Sequence, residues 1–245
     1  MSDNPYAAPL AGETIEEVAA DWTLFSELAV AWRLYRQHWT SYVVAAVASA
    51  VLGVVLFVAL GGVVLLLDKT VEQDVLGLSV LGLLFVFAAF LLTGMAALAL
   101  AHRHGEEAGA TLVFGVRRRF VPIALFTGTM IAELFLAAFV FVLFEVSGMR
   151  DATVESFVLA FILSLPPMAT VMLMGLRALD ARASLLRAVR YGLSAFGRQP
   201  MRIVAASFVS GALLVVGAIT VVGIAIAWPV VTLAWAGIYV RVAET

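Results

Sequence analysis

Glu133 is a carboxylate near the middle of the apolar stretch 120–146. A charged carboxylate at the centre of a bilayer costs at least about 2.5 kcal/mol, so we expect Glu133 to face protein or water. Two interpretations stay open. Glu133 could relay protons or cations, or it could be protonated and hydrogen-bonded to a hydroxyl such as that of Ser164 or Thr170. The absence of histidine, lysine or a second acid at the same depth favours the neutral contact between helices.

Pro166 and Pro167 interrupt another apolar stretch at about the depth of Glu133. Proline has no N–H group, so the carbonyls of Ile162 and Leu163 lose their helical partners. The pair could form a hinge or a cation site opposite Glu133, or a fixed kink that improves packing, which we favour. The predicted intramembrane polar site therefore consists of Glu133, Ser164, Pro166, Pro167 and Thr170.

Other reactive groups are sparse. The chain contains no cysteine, which excludes thiol chemistry and thiolate metal sites. His102 and His104, followed by Glu106 and Glu107, have i, i+2 spacing and would not share a helix face, so a solvated loop is favoured over a metal site. We predict no catalytic residue, no metal and no cofactor, and therefore no enzymatic activity.

The composition indicates an integral membrane protein. Of 245 residues, 63% are hydrophobic and 13% are charged, and the mean hydropathy is +1.06. Soluble domains are nearer half apolar and a quarter charged. The net charge of −2 gives no indication of nucleic-acid binding.

Six apolar segments predict an all-α polytopic fold with about six transmembrane helices. About 20 residues are needed to cross roughly 30 Å of hydrocarbon. The final run, 202–240, has no polar loop and is too long for one helix across a bilayer; Gly217 and Gly223 offer a place to turn. The predicted segments are 41–67, 76–101, 120–146, 154–177, 202–220 and 222–240.

The distribution of arginine and lysine predicts the orientation. With six helices, one side holds thirteen cationic residues and the other holds Lys69 and Arg150. This bias places both termini in the cytoplasm of a bacterial inner-membrane protein. We interpret residues 1–20 as a flexible polar tail, without a cleavable signal, before a single membrane domain, 21–245. The thirteen are Arg33, Arg36, Arg103, Arg117, Arg118, Arg119, Arg177, Arg182, Arg187, Arg190, Arg198, Arg202 and Arg241.

An internal repeat is predicted by polar clusters that begin at residues 36, 117 and 198, an interval of 81 residues each time. Each cluster follows a short amphipathic segment (22–35, 108–116 and 182–196) and opens a pair of apolar segments, which predicts three copies of an interfacial helix plus a transmembrane hairpin. The copies would be about 21–101, 102–177 and 178–245. In the helical pattern from Asp21 to Trp39, Phe25, Trp32 and Trp39 share the apolar side, and Glu27 is expected on the polar side.

Arginines in the predicted cytoplasmic loops are candidates for binding anionic lipid headgroups. The topological signal alone would also account for them. The candidate residues are Arg117, Arg118, Arg119, Arg187, Arg190, Arg198 and Arg202.

Several short motifs resemble those of a loose group of uncharacterised bacterial six-span membrane proteins, which includes the membrane domain joined to some glycerophosphodiester phosphodiesterases. They are Asn4-Pro5-Tyr6, the segment Arg36–Trp39, Gly105-Glu106 with Phe114 and Arg118, and Tyr239-Val240-Arg241. The resemblance implies no catalytic residue. We expect a membrane scaffold or a lipid-interacting subunit of a larger assembly, with a protein partner or a second copy possible. The alternative is a small transporter or channel that uses Glu133 beside Pro166-Pro167.

Overall fold

A computed structural model describes residues 23–67, 73–115, 120–146, 153–181 and 183–243. Within these ranges the chain is helical and contains no strand, so the predicted all-α fold is confirmed. The predicted tail, 1–20, and Arg117–Arg119 lie outside the described residues.

Eight α-helices and one 3₁₀ helix make up the described part of the chain. Six of them, α2, α3, α4, α5, α7 and α8, are long and apolar enough to span a membrane, which confirms the predicted number. The elements are α1 Leu24–Gln37, α2 Trp39–Leu67, α3 Gln73–Arg103, the 3₁₀ helix Ala110–Phe114, α4 Phe120–Val146, α5 Thr153–Asp180, α6 Leu185–Arg198, α7 Pro200–Ala218 and α8 Val221–Ala243.

The long apolar run 202–240 divides into α7 and α8 at Ile219 and Thr220. A Cβ atom on Gly217 would lie 2.7 Å from the Cβ of Ala227, so the two helices approach closely because this position is glycine. The Thr220 hydroxyl accepts a hydrogen bond from the N–H of Gly223 (2.9 Å), which caps the start of α8. Two glycines and a cap thus take the place of a polar loop.

The spanning helices differ in how much protein surrounds them. In the most apolar part of each helix, 56% of α8, 50% of α3 and 47% of α5 are buried, compared with 11% of α2 and 12% of α4. Helices α3, α5 and α8 therefore form the centre of the bundle, while most of the surface of α2 and α4 is not covered by the described part of the chain.

Helix α1 lies against the end of α8 and buries one side. Ala31, Leu34 and Tyr35 are buried there, while Phe25 is 78% exposed on the other side with Trp32. Trp39, the first residue of α2, is also exposed. The expectation that Glu27 lies on the exposed polar side is wrong, because Glu27 is only 3% exposed. The exposed aromatic side suits the membrane interface, where tryptophan is favoured.

Buried charges fix α1 to two spanning helices. Glu27 Oε2 lies 3.0 Å from Nη1 of Arg103, and Glu27 Oε1 lies 3.5 Å from Nε of Arg241. Arg103 Nε also donates a hydrogen bond to the carbonyl of Leu233 (2.9 Å). A side chain at Gly237 would collide with the Glu27 carboxylate and the Arg103 guanidinium. Glycine at this position is what allows the ion pair to sit against α8.

The three segments that precede the hairpins are not equivalent. The first and third are 14-residue α-helices, α1 and α6, whereas the second is the five-residue 3₁₀ helix. Its Val113 is fully buried against Gly94 of α3. Gly105, with a φ of 76°, and Gly109 interrupt helical structure before it. The internal repeat and its divisions stay a prediction.

Candidate functional site

Polar residues at the ends of α3, α5 and α8 meet in one network. Tyr239 donates a hydrogen bond from its hydroxyl to Asp180 Oδ2 (2.8 Å), and Arg177 donates from Nη1 to the Tyr239 hydroxyl (3.3 Å). His104 Nε2 lies 3.3 Å from Asp180 Oδ1. Since α1 is joined to Arg103 and Arg241 at the same helix ends, this end of the bundle gathers the polar side chains.

Helix α6 extends this network through Tyr191. The Arg177 guanidinium lies 5.2 Å from the centre of the Tyr191 ring, a cation–π distance, and the Tyr191 hydroxyl donates to the backbone carbonyl of Tyr239 (3.4 Å). Burial, and then the nearby Tyr239, raise the pKa of the Tyr191 phenol, so this phenol stays protonated and can donate.

Close packing of α6 on α5 depends on Gly192. A Cβ atom there would collide with the side chain of Met174 and lie 3.0 Å from the carbonyl oxygen of Thr170. Ala188 and Ala195 are buried on the same side of α6. Small residues on this side leave the arginines of α6 on its more exposed surface.

A cavity of about 430 Å³, which we call the arginine cavity, lies between the ends of α5, α6 and α8. Among the described residues that line it, four are arginines and none is a carboxylate. The remaining wall consists of small, apolar or hydroxyl side chains. The lining residues are Arg177, Ala181, Ala183, Arg187, Arg190, Tyr191, Ser194, Ala195, Arg198 and Val242.

The arrangement suits an anion that carries phosphate. Guanidinium groups present planar sets of N–H donors that match phosphate oxygens in bidentate fashion. Arg177 is held by Tyr239 and Tyr191, and Tyr191 and Ser194 add hydroxyls to the wall. Arg177 lies in the last turn of the apolar helix α5, so we expect the cavity to lie at headgroup depth.

Three predicted lipid-binding residues, Arg187, Arg190 and Arg198, converge in the arginine cavity. Arg202 lies with Arg198 beside a separate, more open hollow. Arg117, Arg118 and Arg119 are outside the described residues. The sequence-based prediction did not include Arg177 in this site; its position as the arginine that ends the fourth apolar segment was the available signal.

The predicted intramembrane polar site is only partly assembled. Helices α4 and α5 pack along each other, and Glu133 is half-buried. Its Oε1 atom is buried and has no hydrogen-bond partner among the described residues. The Thr170 hydroxyl donates instead to the carbonyl of Pro166 within α5 (3.0 Å).

Near the proline pair, one side of α5 is exposed. Pro167 is exposed and Leu163 is 49% exposed, while Ser164 is buried. Successive helical residues point about 100° apart, so the two prolines cannot both face Glu133. The Leu163 carbonyl, which loses its partner to Pro167, therefore belongs to an exposed part of the helix.

His102 does not lie in a solvated loop as expected, because it is 2% exposed at the end of α3. Its Nδ1 lies 2.9 Å from the Tyr42 hydroxyl and its Nε2 lies 3.0 Å from the carbonyl oxygen of Ala108. His38 stacks on it with a centroid distance of 4.0 Å. Within the described ranges, no three histidine or acidic side chains gather as a metal site would require.

No family model, curated protein or solved structure matches this chain. Its class follows from the fold: six apolar helices of spanning length make it a multi-pass α-helical membrane protein.

Proposed function

We propose that this membrane protein binds the headgroups of anionic phospholipids in the arginine cavity. The observation that supports the proposal is the convergence of four arginines around one cavity at the end of the spanning helices. In this proposal the cavity faces the cytoplasm of a bacterial inner membrane, as the arginine distribution predicts, and the protein has no catalytic activity.

The electrostatics favour a bound anion. Four guanidinium groups around one cavity repel each other, and an anion between them relieves that repulsion. The Asp180 carboxylate in this network accepts a hydrogen bond from Tyr239 and lies 3.3 Å from Nε2 of His104. Because Asp180 is engaged in this way, a headgroup phosphate is the better counter-ion for Arg187, Arg190 and Arg198.

A scaffold role is compatible with this binding. Helix α1 is fixed to the bundle by Glu27 and exposes Phe25 and Trp32, and Trp39 is exposed at the start of α2. The largely exposed helices α2 and α4 leave room for a protein partner or a second copy in the membrane. In this role, bound lipid would help to hold a larger assembly at the inner membrane.

The double variant Arg187→Gln, Arg190→Gln is expected to weaken binding of phosphatidylglycerol roughly thirtyfold. Each arginine near an anionic surface contributes about 1 kcal/mol, so two contribute about 2 kcal/mol. Binding is measured by titrating phosphatidylglycerol into the protein held in phosphatidylcholine nanodiscs.

The matched control is Arg33→Gln, Arg36→Gln. It removes the same charge from exposed positions on α1, outside the arginine cavity, and should change binding much less. Equal losses in the two double variants would show that general surface charge, and not the cavity, attracts the lipid. Inorganic phosphate is added as a competitor; if it displaces the lipid at low concentration, the cavity takes free phosphate instead.

A second candidate function is proton or cation transport through Glu133, which the buried Oε1 atom without a described partner favours. In this case Glu133→Gln is expected to remove a pH-dependent flux in proteoliposomes and to leave the unfolding midpoint unchanged. Glu107→Gln, at an exposed loop position, is the control. No flux in the wild type, or the same flux in Glu133→Gln, would contradict transport by this residue.

A further inference from the structure

A second cavity, of about 440 Å³, lies within the membrane-spanning part of the bundle among α4, α5, α7 and α8, with a contribution from α3. Its volume is in the range of pockets that bind small ligands. We call it the apolar groove. Its lining residues are Leu92, Phe126, Leu165, Met168, Ala169, Met172, Ser207, Ser210, Gly211, Leu214, Val215, Ala218, Ile224, Trp228, Val231, Thr232 and Trp235.

Three hydrogen bonds within the protein engage polar groups of its wall. Ser207 donates to the carbonyl of Ile203 (2.7 Å), and Thr232 donates to the carbonyl of Trp228 (2.9 Å). Trp235 Nε1 donates to the Ser210 hydroxyl (3.0 Å). Water in a cavity needs several polar partners, so this wall favours a hydrocarbon occupant.

Small side chains make the groove concave. Ala169 of α5 and Ser207, Ser210 and Gly211 of α7 are the small residues of its wall on these two helices. Leu165 and Met168 immediately flank Pro166-Pro167, so the proline-containing stretch of α5 forms one wall. The proline pair therefore has a structural role, shaping this wall, that does not involve Glu133.

The length and direction of the groove suit one lipid leaflet. Along α7 its lining runs from Ser207 to Ala218, which is about 16 Å at 1.5 Å per residue. Half of a hydrocarbon core of roughly 30 Å is about 15 Å. Ala218 and Ile224 adjoin the α7–α8 turn, at the end of the bundle opposite Arg177 and Val242 of the arginine cavity.

The groove opens outward where Val215 is 54% exposed. At this depth the surroundings are hydrocarbon, so the molecules that reach the opening are lipid chains. We propose that the groove binds one acyl chain of a phospholipid from the leaflet opposite the arginine cavity, with the headgroup near the α7–α8 turn.

This lipid is distinct from the one proposed for the arginine cavity. Met172 lines the groove and Arg177 lines the arginine cavity. Five helical residues separate them, which places their side chains about 140° apart around α5. The acyl-chain proposal therefore does not rest on the headgroup proposal and can fail or succeed without it.

The test uses nanodiscs of phosphatidylcholine that contain one of two photoreactive lipids. One carries a diazirine at the end of a long chain, and the other carries it next to the ester. After illumination, mass spectrometry maps the labelled residues. We expect the chain-end probe to label residues near Met172 and Trp235, and the ester-proximal probe to label residues near Ala218 and Ile224. The reverse order, or labelling no stronger than on exposed α2, would overturn the proposal.

A filled groove provides the second test. Gly211→Leu places a side chain in the groove and should reduce chain-end labelling of Met172 and Trp235 on the order of tenfold, a free-energy change of about 1.4 kcal/mol. The control is Gly128→Leu, where a Cβ atom has open space. Unchanged labelling in folded Gly211→Leu, or a photo-crosslinked second copy covering Val215, would overturn the proposal. If Gly211→Leu does not fold, the proposal is judged by the depth order in which the two probes label the wild type.

Discussion

Glu27→Ala is expected to lower the free energy of unfolding by about 3–5 kcal/mol, the usual cost of leaving a buried charge without its partner. Arg103 is only 6% exposed, and its guanidinium depends on the Glu27 carboxylate for neutralisation. Arg241 loses the same partner. The loss is measured by titrating a denaturing detergent into mixed micelles and following helicity.

Glu107→Ala is the control for this variant, because it removes a carboxylate from an exposed position next to α3. Its effect should stay within about 0.5 kcal/mol, as for most surface substitutions. A Glu27→Ala protein as stable as Glu107→Ala would show that the ion pair does not fix α1 to the bundle. Proteolysis between α1 and α2 should also become faster in Glu27→Ala, because α1 is then less firmly attached.

Gly94→Ala is expected to destabilise the protein by about 1–3 kcal/mol, as overpacking does in close-packed interiors. The added methyl group would collide with the carbonyl oxygen of Val113 and lie 2.7 Å from its Cγ1 and 2.9 Å from its carbonyl carbon. Since two of these three atoms are backbone, no change of rotamer relieves the contact. The 3₁₀ helix must move away from α3, which detergent unfolding and hydrogen exchange of Val113 would both detect.

Gly82→Ala is the matched control, in the same helix and with the same chemical change. A Cβ atom at Gly82 has no neighbour within 4 Å, so alanine there should be neutral or slightly stabilising through its helix propensity. Similar destabilisation by both variants would mean that glycine matters to α3 for its backbone, and not for its contact with Val113.

The spanning helices could be predicted from sequence because bilayer thickness and apolar length limit the solutions. The predicted 120–146 coincides with α4, and the predicted 76–101 is extended only at its ends, to Gln73–Arg103. The division of 202–240 depended on close contact at Gly217, which a hydropathy pattern does not record. The ends of a helix were thus predictable where bilayer thickness sets them, and less predictable where contacts between helices set them.

The side of α1 that faces the protein could not be predicted. Helical periodicity placed Glu27 with the polar residues, but its partners Arg103 and Arg241 are far away in sequence. A carboxylate can be buried in the core only when the fold brings such partners to it, and the local sequence pattern does not contain that information.

The candidate site shows the same limit. The residue types of Arg187, Arg190 and Arg198 indicated lipid headgroups, but their convergence with Arg177 depends on how α6 packs on α5 through Gly192. For Glu133, the sequence indicated a partner on α5, and the structure engages Thr170 within its own helix instead.

The unequal burial of the spanning helices has a consequence for how the chain is made. Helix α2, the least buried, has the highest mean hydropathy of the six, and α8, the most buried, has the lowest. A helix that leaves the ribosome early must partition into lipid by its own composition, whereas a later helix can pack against helices that are already inserted. Mean hydropathy falls along the chain from 2.9 in α2 to 1.7 in α8, so the helices that are made later are less able to insert alone. The last of them, α8, completes the surroundings of Glu27 by adding Arg241 to Arg103.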